Sequence, residues 1–439
     1  MSTNPNRFTP HEVIHDVVDR AILVGVDRGR GGGWALEDDL EELGRLTDTA
    51  GAVIVGTVTQ KLDHPHPRTF VGKGKVEEIA TLVGETEATL VVFDDDLTPS
   101  QQSNIENELP KIKVLDRTAL ILDIFALHAK SREGRLQVEL AQMEYLLPRL
   151  RGLWRHFGQA AAASGGALGI GTRGPGETQL ETDRRLARTR IQELKRELKQ
   201  VSKNRDTQRH ARARSGVFRI ALVGYTNAGK STLLNALTGA DVLVEDKLFA
   251  TLDATTRHLE LPEGRGVTIT DTVGFINKLP HGLVNAFKST LDEVREADLL
   301  VHVIDASHSM AGAQIAAVSE VLGELDVAGT PQLLAFNKID LVDAAEVAHL
   351  RDLNPGAVFV SGAENTGLDD LLARVAAEAS RSETTLDVLI PYTRGELVRL
   401  AHEQGHIMAE EHTAEGTRLN VRVPASIAAA LAPFAVSDR

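Results

Sequence analysis

Hydrophobic and polar positions change period several times along this chain. From about Arg20 to Lys130, β-like runs (Arg20–Val26, Ala52–Thr59, Thr89–Phe93, Ile112–Leu115) alternate with helical patterns (Glu37–Leu46, Val76–Leu82, Ser100–Leu109). That alternation predicts a small α/β domain with a mostly parallel sheet over residues 1–130. Over residues 131–214 the period becomes that of a helix. Leu136, Leu140, Met143, Leu147 and Leu150 recur at alternating steps of four and three, as do Ala187, Ile191, Leu194, Leu198 and Val201. The two seams predict a long antiparallel helical hairpin. Over residues 215–381 apolar runs return at Phe218–Val223, Gly266–Thr270, Gln332–Phe336 and Ala357–Val360, with a helical pattern from Ser231 to Leu237. This is the signature of a doubly wound α/β sheet. In residues 382–439, Leu386–Ile390 and Thr417–Val423 alternate like strands and Thr393–Gln404 is helical, which predicts a small α/β C-terminal domain.

The hairpin seams are joined by a stretch rich in Gly and Ala, Gly152 to Thr178, with Arg149, Arg151, Arg155, His156 and Arg173 around it. A loop of this length inside a folded protein is functional or disordered. At the tip of a rigid hairpin it has the form of a probe that enters a crevice.

Composition narrows the compartment and the partners. No cysteine is present, so disulfides and thiolate metal sites are excluded. The start, MSTNPNRFTP, lacks the apolar core of a signal peptide, and no apolar run approaches the roughly 20 residues of a membrane helix. A soluble, cytoplasmic protein is expected. The net charge is −14, from 62 acidic and 48 basic residues. Residues 182–214, however, hold twelve Lys or Arg against four acids, net +8, and the remainder carries −22. A basic arm on an acidic body predicts docking on phosphates through one surface. Aromatic residues make up only 4% of the chain, so backbone and shape contacts to folded RNA fit better than base stacking.

The chemistry concentrates after Phe218. Gly224-Tyr225-Thr226-Asn227-Ala228-Gly229-Lys230-Ser231 has phosphate-loop spacing between a predicted strand and a predicted helix. Glycines there let backbone N–H groups face phosphate oxygens, and the helix N-terminus adds positive potential. Lys230 is placed to reach the β- and γ-phosphates, and the Ser231 hydroxyl to bind Mg²⁺. Taken alone, this motif could be a ligand-free turn. Three further stretches follow in order. Asp271-Thr272-Val273-Gly274 offers a carboxylate for Mg²⁺ through water and a glycine N–H for the γ-phosphate. Asn337-Lys338-Ile339-Asp340 offers a carboxylate that accepts from N1–H and N2–H₂ of guanine, a donor pair adenine lacks. Ser361-Gly362-Ala363 offers backbone N–H groups for the guanine O6. Together they predict a P-loop domain for GTP and GDP. A switch threonine must lie between the first two motifs, and Thr251, Thr255 and Thr256 all qualify on chemistry.

"FVGKGKVEEI" (Phe70–Ile79), "GPGETQLETDRR" (Gly174–Arg185), "LFATLD" (Leu248–Asp253) and "DTVGFI" (Asp271–Ile276) make the chain resemble the HflX family of ribosome-associated GTPases, over roughly residues 20–439. The resemblance implies that Thr251 is the magnesium ligand beside Ser231. It places Phe249, Ala250, Leu252 and Asp253 at the nucleotide and makes Lys230, Asn227, Thr251 and Gly274 the catalytic set. It implies the large (50S) ribosomal subunit and its rRNA as partner, with the hairpin loop reaching the peptidyl-transferase region, a monomer off the ribosome, and the splitting of stalled ribosomes. The fifth motif departs from the usual Ser-Ala-x form, because Gly362 replaces the alanine.

Two residues bear on hydrolysis. Phe275 follows Gly274, where small GTPases commonly carry a glutamine that orients the attacking water, and phenylalanine cannot do that. Either it is switch packing with a water-orienting group elsewhere in the chain, or a partner completes the site. Asn227 stands where some phosphate-loop GTPases hold K⁺, and stabilising the loop turn is its plainer role. Two other functions share the same chemistry: a large-subunit assembly or quality-control GTPase, and an RNA-binding or remodelling protein that uses GTP as a switch. The Arg28–Gly33 stretch lacks phosphate-loop spacing and is expected to be a flexible loop. Gly72-Lys73-Gly74-Lys75 fits a turn before a helix as well as a phosphate contact.

Overall fold

The computed structural model describes residues 18–29, 34–150, 179–213, 217–239, 248–262, 264–278, 288–325, 327, 329–381 and 383–436. The Gly152–Thr178 tip and most of the Arg28–Gly33 stretch therefore lie outside the described residues. The chain divides into two compact units, Met1–Ile124 with Glu144–Leu186, and Phe125–Met143 with Ala187–Arg439.

In the first unit, β1 (Arg20–Asp27), β2 (Val53–Lys61), β3 (Leu90–Phe93) and β4 (Lys113–Asp116) form a sheet in the order β2-β1-β3-β4. All of its pairings are parallel, as the strand–helix alternation predicts. The helices Leu36–Thr49, Lys73–Thr86 and Pro99–Glu108 are the crossovers. Ile22, Val24, Ile79, Val91, Phe93 and Ile105 are fully or almost fully buried in its core. Gly72 is the N-cap of the helix Lys73–Thr86, where Lys73 and Lys75 pair with Glu77 and Glu78. That is the turn-before-helix reading.

Arg149 is anchored within this unit. Its guanidinium lies over the Tyr145 ring, 3.6 Å from the centroid, and donates to the Leu97 carbonyl at 2.6 Å and to Asp116 at 3.3 Å. The buried Asp116 also accepts from the Tyr145 hydroxyl at 2.8 Å. Burial raises the Asp116 carboxyl pKa, while the nearby donors and Arg149 oppose that shift.

In the second unit, two helices, Arg132–Leu146 and Gln179–Ala213, contribute their residues 132–143 and 187–213. Glu139 pairs with Arg190 at 2.8 Å, and Arg132 with Glu197 at 3.6 Å. As one number rises the other falls, so the helices run antiparallel. Leu136, Ala187, Ile191 and Leu194 are buried along the seam.

The central sheet is β10-β9-β8-β5-β7-β6, built from β5 (Arg219–Gly224), β6 (Thr255–Glu260), β7 (Gly266–Asp271), β8 (Leu299–Asp305), β9 (Gln332–Asn337) and β10 (Val358–Phe359). Only β6 runs antiparallel to its neighbour. Central parallel strands are covered on both faces, which is why they read as continuous apolar runs. Ile220, Leu222, Leu299, Val301 and Val303 are each at most 1% exposed.

A third sheet, β11 (Glu383–Ile390), β12 (His406–His412) and β13 (Thr417–Pro424), is antiparallel in the order β11-β13-β12 and carries the helices Gly395–Gln404 and Ala425–Leu431. Its middle strand and both helices enclose Leu397, Ala401, Leu419, Val421 and Ile427. The edge strand β12 has no apolar alternation and is almost wholly exposed, so the sequence pattern does not reveal it.

Candidate functional site

The loop Gly224–Gly229 links β5 to the helix Lys230–Thr238. Gly229 has φ +88°, and a Cβ there would stand 2.2 Å from Asn337 Nδ2. Only glycine fits so close an approach in a left-handed conformation. Asn337 uses that proximity. Its Nδ2 donates to the Ala228 carbonyl at 2.9 Å, and its Oδ1 accepts from Gly362 N–H at 3.0 Å. One side chain thus joins the phosphate loop to the Ser361-Gly362-Ala363 loop. At Gly362 a Cβ would come 3.2 Å from Leu233 N–H nitrogen, so glycine in place of alanine lets this loop sit close to the helix backbone.

Lys338 adopts φ +62°, and its ammonium pairs with Asp305 at 2.7 Å. Ile339 and Asp340 follow in one 3₁₀ turn. Asp340 is exposed, and its Oδ1 accepts from the Ser361 hydroxyl at 2.5 Å. Ala363 is exposed beside it.

On the opposite side, Ser231, Thr251 and Asp271 converge. The Ser231 hydroxyl donates to Asp271 Oδ2 at 2.6 Å, Thr251 donates to the same oxygen at 3.1 Å, and the two hydroxyl oxygens are 2.9 Å apart. Asp271 Oδ1 is buried with no protein partner. Burial raises the Asp271 carboxyl pKa, against the opposing effect of Lys230. Thr255 and Thr256, equal candidates on chemistry, lie instead on β6, where the Thr256 hydroxyl meets that of Thr270 at 2.9 Å.

The Lys230 ammonium is buried and donates to the Gly224 and Tyr225 carbonyls at 3.2 and 2.9 Å. Burial lowers its pKa to about 8. At Gly274, a Cβ would lie 3.0 Å from Lys230 Nζ and 2.8 Å from Thr226 Cα, so this glycine lets the second motif pass against the phosphate loop. Thr226 Oγ1 is buried without a protein partner. Thr272 is spent on the fold, donating to the Leu222 carbonyl at 2.7 Å, and Val273 is buried. Asn227 holds φ +60° at the loop apex.

Phe275 is 2% exposed, and its backbone extends the β5–β7 pairing. Its N–H donates to Gly224 at 3.0 Å and its carbonyl accepts from Thr226 at 2.7 Å. Asn277 N–H donates to the Tyr225 hydroxyl at 2.6 Å. The side chain at position 275 is therefore packing, and the segment after Gly274 is stitched to the phosphate loop. The sequence did not signal the Tyr225–Asn277 stitch.

Two side chains that the resemblance sets at the nucleotide have protein partners in this structure. Phe249, at φ +59°, packs edge-on against Phe125 with centroids 4.5 Å apart. The Asp253 carboxylate accepts hydrogen bonds from Lys130 and Ser131. Between Phe249 and Asp253 in sequence, Leu252 is buried and Ala250 is half-buried.

Among the described residues, no group of three or more His, Cys, Asp or Glu could hold a metal, and no helix is long and apolar enough to cross a membrane.

Three family models match in succession: "GTP-binding GTPase N-terminal" at residues 37–126, "GTP-binding GTPase Middle Region" at 128–212 and "50S ribosome-binding GTPase" at 219–338. The GTPase HflX of Caldanaerobacter subterraneus is 46% identical over 419 residues, covering 95% of this chain and 94% of that protein. That of Escherichia coli K12 is 43% identical, covering 88% and 90%. The crystal structure of a GTP-binding protein from the archaeon Sulfolobus solfataricus in complex with GDP covers 82% of this chain and 99% of that one, at 25% identity and a TM-score of 0.41. With relatives this similar over nearly its whole length, the chain belongs to the HflX family: it binds guanine nucleotides and hydrolyses GTP.

Proposed function

We propose that GTP loads this protein for docking on the 50S ribosomal subunit, that its hairpin is the docking arm, and that the cycle separates stalled ribosomes into subunits. The observation that carries the docking reading is the basic helix Gln179–Ala213. Its residues Arg185, Arg188, Lys195, Arg196 and Lys199 are exposed. Its acids Glu193 and Glu197 pair with Arg190, and Glu197 also pairs with Arg132. Phosphates of rRNA are the complementary surface for such a face. The "50S ribosome-binding" description of the matching family model supports the same partner.

The site chemistry fits Mg²⁺. Ser231, Thr251 and Asp271 supply hard oxygen donors only, and the unpartnered, buried Asp271 Oδ1 calls for a cation. Ser231, Thr251 and Asp271 would hold the ion, which when bound would supply positive charge against the negative charge that develops on the phosphate during hydrolysis. Lys230 would hold the β- and γ-phosphates, its buried ammonium restored to full charge by them. Thr251, which already lies against Ser231 and Asp271, would gain its contact with Mg²⁺ only while the γ-phosphate is present, which supplies the differential contact a switch needs. Asp340, aligned by Ser361, would read guanine. Asn227 would hold a K⁺ ion at the phosphates, and turnover should then be faster in K⁺ than in Na⁺ buffer.

Phe275 cannot orient water, so the reading assigns that task to the docked ribosome. GTP turnover with and without purified 50S subunits, for the wild type and a variant lacking residues 158–174, tests it. Strong stimulation that the deletion abolishes is expected. Turnover indifferent to 50S subunits would overturn the docking reading.

A further inference from the structure

Thr251 sits in the middle of a five-residue stretch whose two ends are tied down. Two residues before it, Phe249 packs on Phe125. Two residues after it, Asp253 binds the turn that starts the helix Arg132–Leu146. Asp253 Oδ2 accepts from Lys130 N–H at 2.9 Å and from Ser131 N–H at 2.6 Å, and Oδ1 accepts from the Ser131 hydroxyl. The Ser131 hydroxyl oxygen in turn accepts from Gly134 N–H at 2.8 Å, so Ser131 caps the helix and presents its proton to Asp253. A carboxylate at a helix N-terminus is also favoured by the helix dipole.

We infer that Asp253 is a positioning residue for hydrolysis: by gripping the Lys130–Gly134 turn it seats the Thr251 hydroxyl against Ser231 and Asp271. The inference rests on the reading of Thr251 as the switch threonine. Three hydrogen bonds accepted by one carboxylate from three donors leave the adjoining backbone little freedom, and Thr251 lies only two residues before it. Phe249 supplies the second anchor at the cost of a left-handed backbone that a phenylalanine adopts only when its surroundings impose it. Gly134 reports on the tightness of the grip. A Cβ at that position would stand 2.6 Å from Asp253 Oδ1 and 3.1 Å from the Ser131 hydroxyl oxygen. The same turn begins the basic hairpin, so the seat of the switch threonine and the root of the arm are one hydrogen-bonded unit.

The test is steady-state GTP turnover by the full chain across a Mg²⁺ titration, with GDP affinity measured alongside. Asp253→Ala and Ser131→Ala should each lower kcat about tenfold and raise the Mg²⁺ requirement, while GDP affinity stays within about twofold. The double variant should be no worse than either single one, and Ser131→Thr should retain turnover because it keeps the hydroxyl. Gly134→Ala should show the same defect, although alanine favours a helix more than glycine does. Wild-type turnover and Mg²⁺ dependence in Asp253→Ala and Gly134→Ala would overturn the inference. So would a parallel loss of GDP affinity, which would mark a general structural role. Thr251→Ala separates the two readings. Undiminished turnover there removes the switch threonine itself, whereas a defect in Thr251→Ala with none in Asp253→Ala removes the positioning role alone.

Discussion

The Ser361 hydroxyl donates a 2.5 Å hydrogen bond to Asp340 Oδ1, and the same oxygen of Ser361 accepts from Glu364 N–H at 3.0 Å. The serine is thus fixed by its own turn and in turn fixes the carboxylate that faces solvent. A carboxylate aligned in this way presents both lone-pair directions to a donor pair on one edge of a base. Ser361→Ala should weaken GDP binding about tenfold, the scale of one hydrogen bond to a charged group. Asp340→Ala should weaken it about a hundredfold or more, because two donors on guanine lose their acceptor. Titration of a fluorescent GDP analogue checks both. Equal affinities for Ser361→Ala and wild type would show that Asp340 keeps its orientation without the hydroxyl.

Gly229→Ala tests the link between the two halves of the nucleotide site. The added methyl would meet Asn337 Nδ2 at 2.2 Å, in a backbone conformation with φ +88°. Asn337 would be pushed from both Ala228 and Gly362, so the phosphate loop and the base loop would lose their common strut. Nucleotide affinity should fall about a hundredfold, and Asn337→Ala should fall in the same direction by less. Calorimetric binding of GDP, with circular dichroism to check the fold, reads the effect. Retained affinity in Gly229→Ala would mean that the loop yields and the strut is dispensable.

Much of this was legible in the sequence, for identifiable reasons. Central parallel strands are buried on both faces, so β3, β5 and β9 read as apolar runs, and the phosphate loop follows the end of β5, where spacing is diagnostic. Strand β6, TTRHLE, is a largely exposed edge, so the sequence pattern does not reveal it as a strand. β12 was hidden for the same reason. The contacts of Asp253 were silent in the sequence because its partners, Lys130 and Ser131, are more than 120 positions away and two of the three donors are backbone N–H groups, which no side-chain pattern announces. The Tyr225–Asn277 stitch, made by another backbone N–H, was equally silent.

Arg117 is 1% exposed and donates to Asp94 at 2.7 Å and to Glu42, both themselves buried. It stands at the start of the helix Arg117–His128, directly after β4, so it holds the carboxyl ends of the first sheet to the helix Leu36–Thr49. Removing one partner of a buried ion cluster leaves uncompensated charge, at about 3–5 kcal/mol. Arg117→Met should therefore destabilise the first unit by that amount and leave GDP affinity unchanged. Hydrogen exchange is the suitable readout. Protection should fall in β1, β3 and β4 and persist in β5 and β8. Undiminished protection in the first sheet would show that the two carboxylates find other partners without cost.

His302 lies on β8 in register with Val223 of β5 and Leu334 of β9, 1% exposed, with Nδ1 lacking a partner. Burial, and then the Lys230 ammonium, lower its pKa from 6.5 to about 4. The unfolded chain titrates this imidazole near 6.5, so between about pH 4 and 6.5 the unfolded state binds the extra proton. Stability therefore rises with pH across that window. It is complete above about pH 6.5, is lost as the pH falls below that value, and stops falling once the folded imidazole itself protonates near pH 4. For the nucleotide-free protein the loss from this one group should be about 2 kcal/mol between pH 7.5 and 5. His302→Leu keeps an apolar strand and removes the titration. The difference in urea-unfolding free energy between wild type and His302→Leu should shift by about 2 kcal/mol in favour of the variant over that pH range. A difference that does not change with pH would mean that His302 binds protons equally in the folded and unfolded chain, with no neutral form enforced by the sheet.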